Sequence, residues 1–369
     1  MKFKINSYSF RDGLNKVLST VDKKNTNQIL TNFLIKVNQN FVEVIGTDDE
    51  VSSKIKLNAE IETGGSFCIN SKNLYDIIKE LPNDIITFTK KENILNITCK
   101  NIKFSLVNLS TDKFPDIQFN HTENLFKLSS NDVLNFINKT SHCISTDETR
   151  TFLNGIFIQT IDSYLRAVAI DGHRLALINI KEFEGNFESL IDGIIIPKKG
   201  ILELKKIADS YQDDFLTFST DESYLYVNSD DNNFLTIRLI SRDYPKYQTI
   251  IPNKTVERMV VDKDQILQAV KRIRLLSNEK THGVKFSLTN NLLSVNANHP
   301  SLGNAKEDVQ VEYSGDDISI GFNAKYIIDS LSVFETNEVT FEFNNELSPV
   351  VIKSESLSDY LGIIMPLKL

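Results

Sequence analysis

The sequence predicts an α+β protein of three similar domains, each with two helices packed on about eight antiparallel strands. The chain has 369 residues, which is more than a single hydrophobic core usually supports. Three sequence markers also recur along it in the same order, 120–133 residues apart. We therefore place the domains at 1–122, 123–252 and 253–369. Units of this size are too large for solenoid repeats, so each should hold its own core.

The first marker is a helix start, in which a capping side chain precedes an acidic or amide residue by three positions. It occurs at Ser9, Ser129 and Asp262. Apolar residues at helical spacing follow each of these starts. Each domain is therefore predicted to begin with an amphipathic helix.

The second marker is a short strand that runs into a helix, in residues 67–81, 194–208 and 320–334. Lys72, Lys199 and Lys325 occupy the same position in the three copies. Asn70 and Asn323 are good N-caps, and Pro at 197 suits a helix start. A second helix is thus predicted in each domain.

The third marker is an alternating strand with a Thr-Phe pair at 87, 217 or 340, followed by a polar turn and return strands. Such hairpin sheets have edges that must be paired or covered. Similar domains could pair edge to edge and close into a ring, with helices inside and sheets outside. The lysines of the predicted helices would then line the hole, although solvated helix faces are an alternative explanation.

Composition excludes several classes of protein. The net charge is −8 and the pI about 5.3, so the average field of the chain does not attract nucleic acid. Cys68, Cys99 and Cys143 lie far apart, which disfavours a disulfide framework or zinc site and fits a reducing cytoplasm. The five histidines have no metal-ligand spacing and nucleotide-binding motifs are missing. We expect no cofactor, no metal and no membrane span.

One motif, Asp171-Gly-His-Arg174, is compatible with a structural turn, a binding site or acid–base catalysis. No nucleophile motif such as GxSxG accompanies it. Two alternatives to a ring remain from the residues alone. One is a hydrolase using His173, and the other is a monomeric peptide-binding adaptor of repeated β-rich domains.

The stretch VAIDGHRLAL at 168–177, LNG at 153–155 and the end LGIIMPLKL at 361–369 resemble the bacterial DNA polymerase sliding clamp, the beta subunit of DNA polymerase III. The resemblance covers the whole chain. It implies the DNA-clamp fold and a head-to-tail homodimeric ring, with helices lining the inside and antiparallel sheets outside. It also implies a non-catalytic, cytoplasmic processivity factor for DNA replication. Its partners would be double-stranded DNA without sequence specificity, the DNA polymerase catalytic subunit and the clamp loader, the proteins docking through short peptide motifs.

The resemblance implies three sets of site residues. Those for DNA are Lys24, Lys72, Arg150, Phe152, Lys198 and Lys199. Those for a partner-peptide groove are Leu153, Gly172, His173, Arg174, Leu175, Leu177, Pro245, Ile250, Pro349, Ile363, Ile364, Met365, Pro366 and Leu367. Those for the dimer interface are Ile77, Phe104, Leu106, Leu275 and Leu276.

Four positions depart from the family pattern. Ile170 stands where the family usually has Thr, Thr249 where it has a basic residue, and Phe152 where it commonly has Tyr. Lys368 replaces the usual Arg before the terminal Leu369. A more apolar groove and the loss of one hydroxyl contact to DNA are expected.

Overall fold

The computed structural model describes residues 1–22, 26–181, 183–185, 187–211, 214–230 and 232–368. Six α-helices lie in these ranges: α1 (Ser7–Leu18), α2 (Ser71–Glu80), α3 (Ser130–Thr140), α4 (Lys198–Ser210), α5 (Lys263–Ile273) and α6 (Ala324–Leu331). Within the described ranges, every helix is too short or too polar to cross a membrane. The chain divides into two compact units, formed by 1–134, 182–189 and 199–239, and by 135–181, 190–198 and 240–369.

The first unit contains a five-stranded and a nine-stranded antiparallel sheet. The five-stranded sheet has the order β5-β1-β7-β8-β9 and consists of β1 (Lys2–Asn6), β5 (Glu60–Thr63), β7 (Ile85–Lys91), β8 (Ile94–Cys99) and β9 (Ile102–Val107). The nine-stranded sheet has the order β14-β10-β16-β17-β18-β4-β3-β2-β6. Its strands are β2 (Asn32–Val37), β3 (Phe41–Thr47), β4 (Val51–Asn58), β6 (Gly65–Asn70), β10 (Phe126–Ser129), β14 (Glu184–Gly185), β16 (Phe215–Thr220), β17 (Tyr224–Asn228) and β18 (Asn233–Arg238).

The second unit contains an eight-stranded and a four-stranded antiparallel sheet. The eight-stranded sheet has the order β15-β11-β12-β13-β26-β25-β24-β19. Its strands are β11 (Gly155–Ile161), β12 (Tyr164–Ile170), β13 (Arg174–Ile180), β15 (Ile194–Pro197), β19 (Glu257–Asp262), β24 (Glu338–Phe343), β25 (Val350–Lys353) and β26 (Tyr360–Ile364). The four-stranded sheet has the order β22-β21-β20-β23, from β20 (Gly283–Thr289), β21 (Leu292–His299), β22 (Gly303–Gln310) and β23 (Ile318–Asn323).

The two large sheets repeat one pattern. Reading from β10, the first runs β10-β16-β17-β18-β4-β3-β2-β6, and reading from β19, the second runs β19-β24-β25-β26-β13-β12-β11-β15. Each is two four-stranded halves joined by an antiparallel ladder. We call the β4–β18 ladder the first joint and the β13–β26 ladder the second joint. The prediction of similar repeats of antiparallel strands with few helices is confirmed.

Helix starts show how far local capping signals can be read. Asp262 Oδ1 accepts a hydrogen bond from the Gln265 amide at 2.8 Å, and Ser129 Oγ accepts one from the Asp132 amide at 3.0 Å. Both are caps at the predicted residues. The predicted cap at Ser9 is wrong, because α1 begins at Ser7 and Asn6 Oδ1 accepts from the Tyr8 and Ser9 amides.

Aromatic packing holds the helices on the sheets. In the first unit, Phe3 stacks on Phe88 with ring centroids 4.6 Å apart, and Phe10 of α1 meets Phe88 edge-on at 5.2 Å. All three side chains are fully buried. Such contacts add to the hydrophobic burial that fixes α1 against the five-stranded sheet.

Candidate functional site

The second joint gathers several of the apolar residues predicted for the groove. Leu153, Leu175, Leu177 and Ile363 belong to one buried cluster, and Ile250 packs against it. Leu175 lies opposite Ile363 and Leu177 opposite Leu361 in the β13–β26 ladder, so these side chains share one face of the sheet. We call this face, with the segments beside it, the apolar groove.

Alternation along the strands places Arg174 and Ile364 on the opposite face, where they lie across from each other. Arg174 Nε donates to Asp171 Oδ2 at 2.9 Å, and Nη1 donates to Asp329 Oδ2 of α6 at 2.8 Å. Its guanidinium lies 4.4 Å from the centroid of the Tyr326 ring. Since its side chain is only 7% exposed, Arg174 fastens the turn to α6 and does not face solvent.

The turn between β12 and β13 has a fixed geometry. Asp171 Oδ1 accepts from the His173 amide at 2.9 Å and from the Arg174 amide at 3.0 Å. Gly172 has φ of +92°, a conformation that strains other residue types, and a Cβ there would also displace the end of the Arg150 side chain, whose Nη1 would lie 2.6 Å away. The Asp171 carboxylate accepts from the turn amides and from Arg174, so it is not available as an acid–base partner for the exposed His173. The ring of His173 stacks on Tyr326 at 5.9 Å.

The C-terminal segment forms one edge of the apolar groove. The Met365 amide donates to the His173 carbonyl and the Leu367 amide to the Gly321 carbonyl, both at 2.8 Å. The Met365 side chain is 36% exposed, and Pro366 and Leu367 are half-buried, as are Pro245 and Pro349. A Met-containing, Pro-framed surface of this kind can adapt to short extended peptides.

Two tyrosines of the groove were missed from sequence. Tyr244 stacks on Phe157 at 4.5 Å, and burial raises the pKa of its hydroxyl. Tyr247 is fully buried and accepts a hydrogen bond from Gln159 Nε2 at 3.0 Å. Both rings flank Pro245 and support the segment that carries Ile250. The sequence signal that could have identified them is their position on either side of the predicted groove residue Pro245, in the run Tyr-Pro-Lys-Tyr.

His142 lies beneath the turn, near Arg174. Neither ring nitrogen has a hydrogen-bond partner among the described residues. Burial, aided by the positive charge of Arg174 and opposed by Asp329 and Asp171, lowers the pKa of His142 to about 4. The imidazole is therefore neutral at pH 7.

We expect His142 to destabilise the protein in mild acid. In the unfolded chain the pKa of His142 is the ordinary value near 6.5, so the unfolded state takes up the proton first as pH falls. The contribution of His142 to the free energy of unfolding is therefore complete above pH 6.5 and is lost as pH decreases toward 4. At pH 4.5 the loss is roughly 2 kcal/mol for this one group. Urea unfolding of wild type and His142→Gln between pH 7 and 4.5 measures it. An equal pH dependence in both proteins would contradict the assignment.

The DNA candidates are scattered over helices and loops. Lys72 on α2 is exposed, and its Nζ lies 3.1 Å from Asp76 Oδ2. Lys198 is exposed at the start of α4. Lys199 pairs with Asp48. Arg150 Nε lies 2.8 Å from Asp147 Oδ2, next to the Gly172 turn.

Phe152 does not stand as an isolated surface ring, since it packs against the cluster of the apolar groove. Lys24 lies outside the described residues. Among the candidate cations, Lys72, Arg150 and Lys199 each already have a carboxylate neighbour.

Four of the five candidate interface residues lie on or beside two sheet edges. Phe104 and Leu106 lie on β9, the edge of the five-stranded sheet, and Phe104 is 37% exposed. Ile77 is half-buried on α2. Leu275 and Leu276 lie in a short helix, Arg274–Leu276, that contacts β22, the edge of the four-stranded sheet. Leu275 is 74% exposed.

Comparisons with known proteins agree along the whole chain. Family models of the DNA polymerase III beta subunit match in succession: the N-terminal domain over 1–118, the central domain over 127–246 and the C-terminal domain over 248–368. The beta sliding clamp of Pseudomonas aeruginosa is 30% identical, and that of Proteus mirabilis 29%, with 100% of each chain covered.

Solved structures give the same result. The crystal structure of the DNA polymerase III subunit beta from Pseudomonas aeruginosa matches with a TM-score of 0.93 at 29% identity, covering 100% of both chains. The Caulobacter crescentus pol III beta structure matches with a TM-score of 0.94 at 28% identity, again over 100% of both chains.

The repeated sheets and the apolar groove define a protein of the three-domain DNA-clamp fold. The chain belongs to the DNA polymerase III beta subunit family, the beta sliding clamps. This confirms the resemblance seen in the sequence. It also confirms the prediction of a non-catalytic protein, since the family is a processivity factor, and it does not support the hydrolase or the monomeric adaptor.

Proposed function

We propose that two copies of this chain close head to tail into a ring around duplex DNA and tether the replicative polymerase, and other replication and repair proteins, for processive synthesis. Domains at 1–122, 123–252 and 253–369 would give six in the ring. The observation that carries the proposal is a pair of sheet edges, β9 and β22. Neither has an outer partner strand among the described residues, and both match, by order in their sheets, the strands that meet at the two joints. We place the ring in the cytoplasm, together with its DNA.

The repeat pattern shows why these two edges belong together. β18 and β26 are each the last strand of a four-stranded half, and β4 and β13 are the strands that meet them. By order in their sheets, β9 corresponds to β18 and β26, and β22 corresponds to β4 and β13. Pairing β9 of one copy with β22 of the other would form a third joint. Two such joints close a ring and cover both edges.

Helices α1–α6 would line the hole and meet the DNA through its phosphates. Our candidates are Lys72, Lys198, Lys199 and Arg150, together with Phe152 and with Lys24, which lies outside the described residues. Lys and Arg supply attraction that does not depend on base sequence. Carboxylate neighbours such as Asp76 and Asp48 weaken each contact. Weak phosphate contacts suit sliding, because the closed ring and not tight binding keeps the protein on DNA.

The apolar groove is the proposed docking site for short peptides of the DNA polymerase catalytic subunit and the clamp loader. Its floor is the cluster around Leu175 and Ile363, and its rim includes His173 and Met365. Arg174 supports the groove from below by holding the turn on α6.

Retention on DNA tests the ring directly. The protein is loaded onto nicked circular DNA by a clamp loader, and half of the sample is then linearised. We expect retention for many minutes on circles and loss within seconds from free ends, because only a closed ring is held topologically. Equal loss from both DNA forms would refute the ring.

A further inference from the structure

The first joint has the same local geometry as the second. In the ladders, Val51 faces Ile237 as Arg174 faces Ile364, so Ser52 corresponds to Leu175 and Thr236 to Ile363. Asp48 Oδ1 accepts from the Glu50 and Val51 amides at 3.1 and 2.9 Å, as Asp171 does in its own turn. The Arg238 amide donates to the Glu50 carbonyl at 2.9 Å, which repeats the bond from Met365 to His173.

A cavity of about 330 Å³ opens at this first joint. Its lining comes from the end of β3 and the turn into β4, from residues 115–118, and from β17 with the turn before it and β18. Residues 115–118 occupy the place that residues 245–248 take beside the apolar groove. The cavity is therefore the counterpart, one repeat earlier, of the apolar groove.

The chemistry of this counterpart differs. Thr47, Ser52 and Thr236 stand where the apolar groove has Ile170, Leu175 and Ile363. Pairing with Thr236 likewise places Tyr226 in the position of Val351. These replacements remove the apolar surface that an apolar peptide would bury, and they put hydroxyl groups in its place.

The lining also carries concentrated negative charge. Asp49, Glu50, Asp116 and Asp221 contribute four carboxylates, and none of the described residues of the lining is a Lys or Arg. Burial disfavours ionisation of Asp221, but hydrogen bonds from Tyr226 Oη and from the Ser223 and Tyr224 amides, each 2.7 Å long, outweigh it and lower its pKa. Two basic side chains lie beside the cavity: Lys199 pairs with Asp48, and Arg238 lies opposite Tyr224 in the β17–β18 ladder. The His121 ring stacks on Tyr226 at 5.8 Å.

We propose that this acidic groove is a second docking site, and that its occupant is an arginine-containing extended segment of a partner protein. Guanidinium groups form paired hydrogen bonds with carboxylates and stack on aromatic rings, and the half-buried Tyr224 and Pro115 offer flat faces beside Asp116. The segment would run along the first joint as the shorter motifs run along the second. The inference rests on the proposed function of the apolar groove.

The test uses the full-length protein and a fluorescein-labelled peptide, Gly-Arg-Pro-Ile-Arg-Gly, with fluorescence anisotropy at physiological salt. The variant Asp49→Asn with Asp116→Asn removes two carboxylates from exposed turns, and Asn tolerates the positive φ of 76° at position 49. The control, Glu279→Gln with Glu346→Gln, removes the same charge from exposed residues elsewhere. We expect at least tenfold weaker binding in the first variant and no change in the control.

Three results would overturn the proposal: no saturable binding to wild type, an equal loss in both variants, or displacement of the peptide by spermidine at an equal concentration, which would indicate a small-cation site. Truncation after Ile364, which removes the edge of the apolar groove, should leave binding of the arginine peptide intact. Retention on circular DNA is measured separately, so its failure would refute the ring and not the acidic groove.

Discussion

Replacing Leu275 with Asp is expected to turn a dimer of twice 42.0 kDa into monomers. The side chain is 74% exposed in the single chain, so the monomer should fold normally, while the proposed joint would bury the new charge. A central interface residue commonly contributes about 2 kcal/mol. Because the proposed ring would have two joints between chains, the substitution would act twice, and the dimer Kd should rise roughly a thousandfold.

Sedimentation velocity at micromolar concentration measures this effect. Leu347→Asp is the matched control, since Leu347 is 68% exposed in the turn between β24 and β25 and belongs to neither of the strands proposed to pair. The control should remain dimeric. A wild-type protein that sediments as a stable monomer would contradict the ring and favour the peptide-binding adaptor.

Truncation after Ile364 is expected to abolish binding of short partner peptides while leaving the dimer intact. It removes Met365, Pro366 and Leu367, and with them the two backbone bonds that form one edge of the apolar groove. Peptide affinity should fall by more than about a hundredfold, because the truncation removes both the central contacts and the surrounding residues that exclude water from them. Fluorescence anisotropy with a labelled apolar peptide from the polymerase tail measures the change.

The matched control is removal of residues 368 and 369 alone, which keeps the edge of the groove and should keep most of the affinity. Sedimentation of both truncated proteins checks that the ring survives. Undiminished peptide binding after the longer truncation would show that the groove lies elsewhere.

Much of the fold could be predicted from local signals. The aligned lysines Lys72, Lys199 and Lys325 all lie at the starts of helices α2, α4 and α6, and the Thr-Phe pairs lie on β7, β16 and β24. Short-range periodicity and capping residues determine these helices and strands, so they can be predicted from one sequence alone. Ser9 failed as a cap because Asn6, three residues earlier, offers a competing acceptor.

Long-range pairing could not be predicted in the same way. No local feature says that β4 meets β18, or that Lys199 reaches Asp48. The face taken by Arg174 depends on the register of β13, since a shift by one residue would reverse it. The acidic first joint could be recognised only once both ladders were aligned, because its Thr and Ser residues carry no motif of their own.

The ladder between β4 and β18 has a consequence for limited proteolysis. A cut in the segment 112–119 breaks the chain between β4 and β18, yet the five residue pairs of that ladder still hold the two strands together. The nicked protein should thus migrate as one species until denatured. Conversely, a repeat expressed alone would expose the unpaired backbone groups of β4 or β18 to solvent and be prone to aggregate.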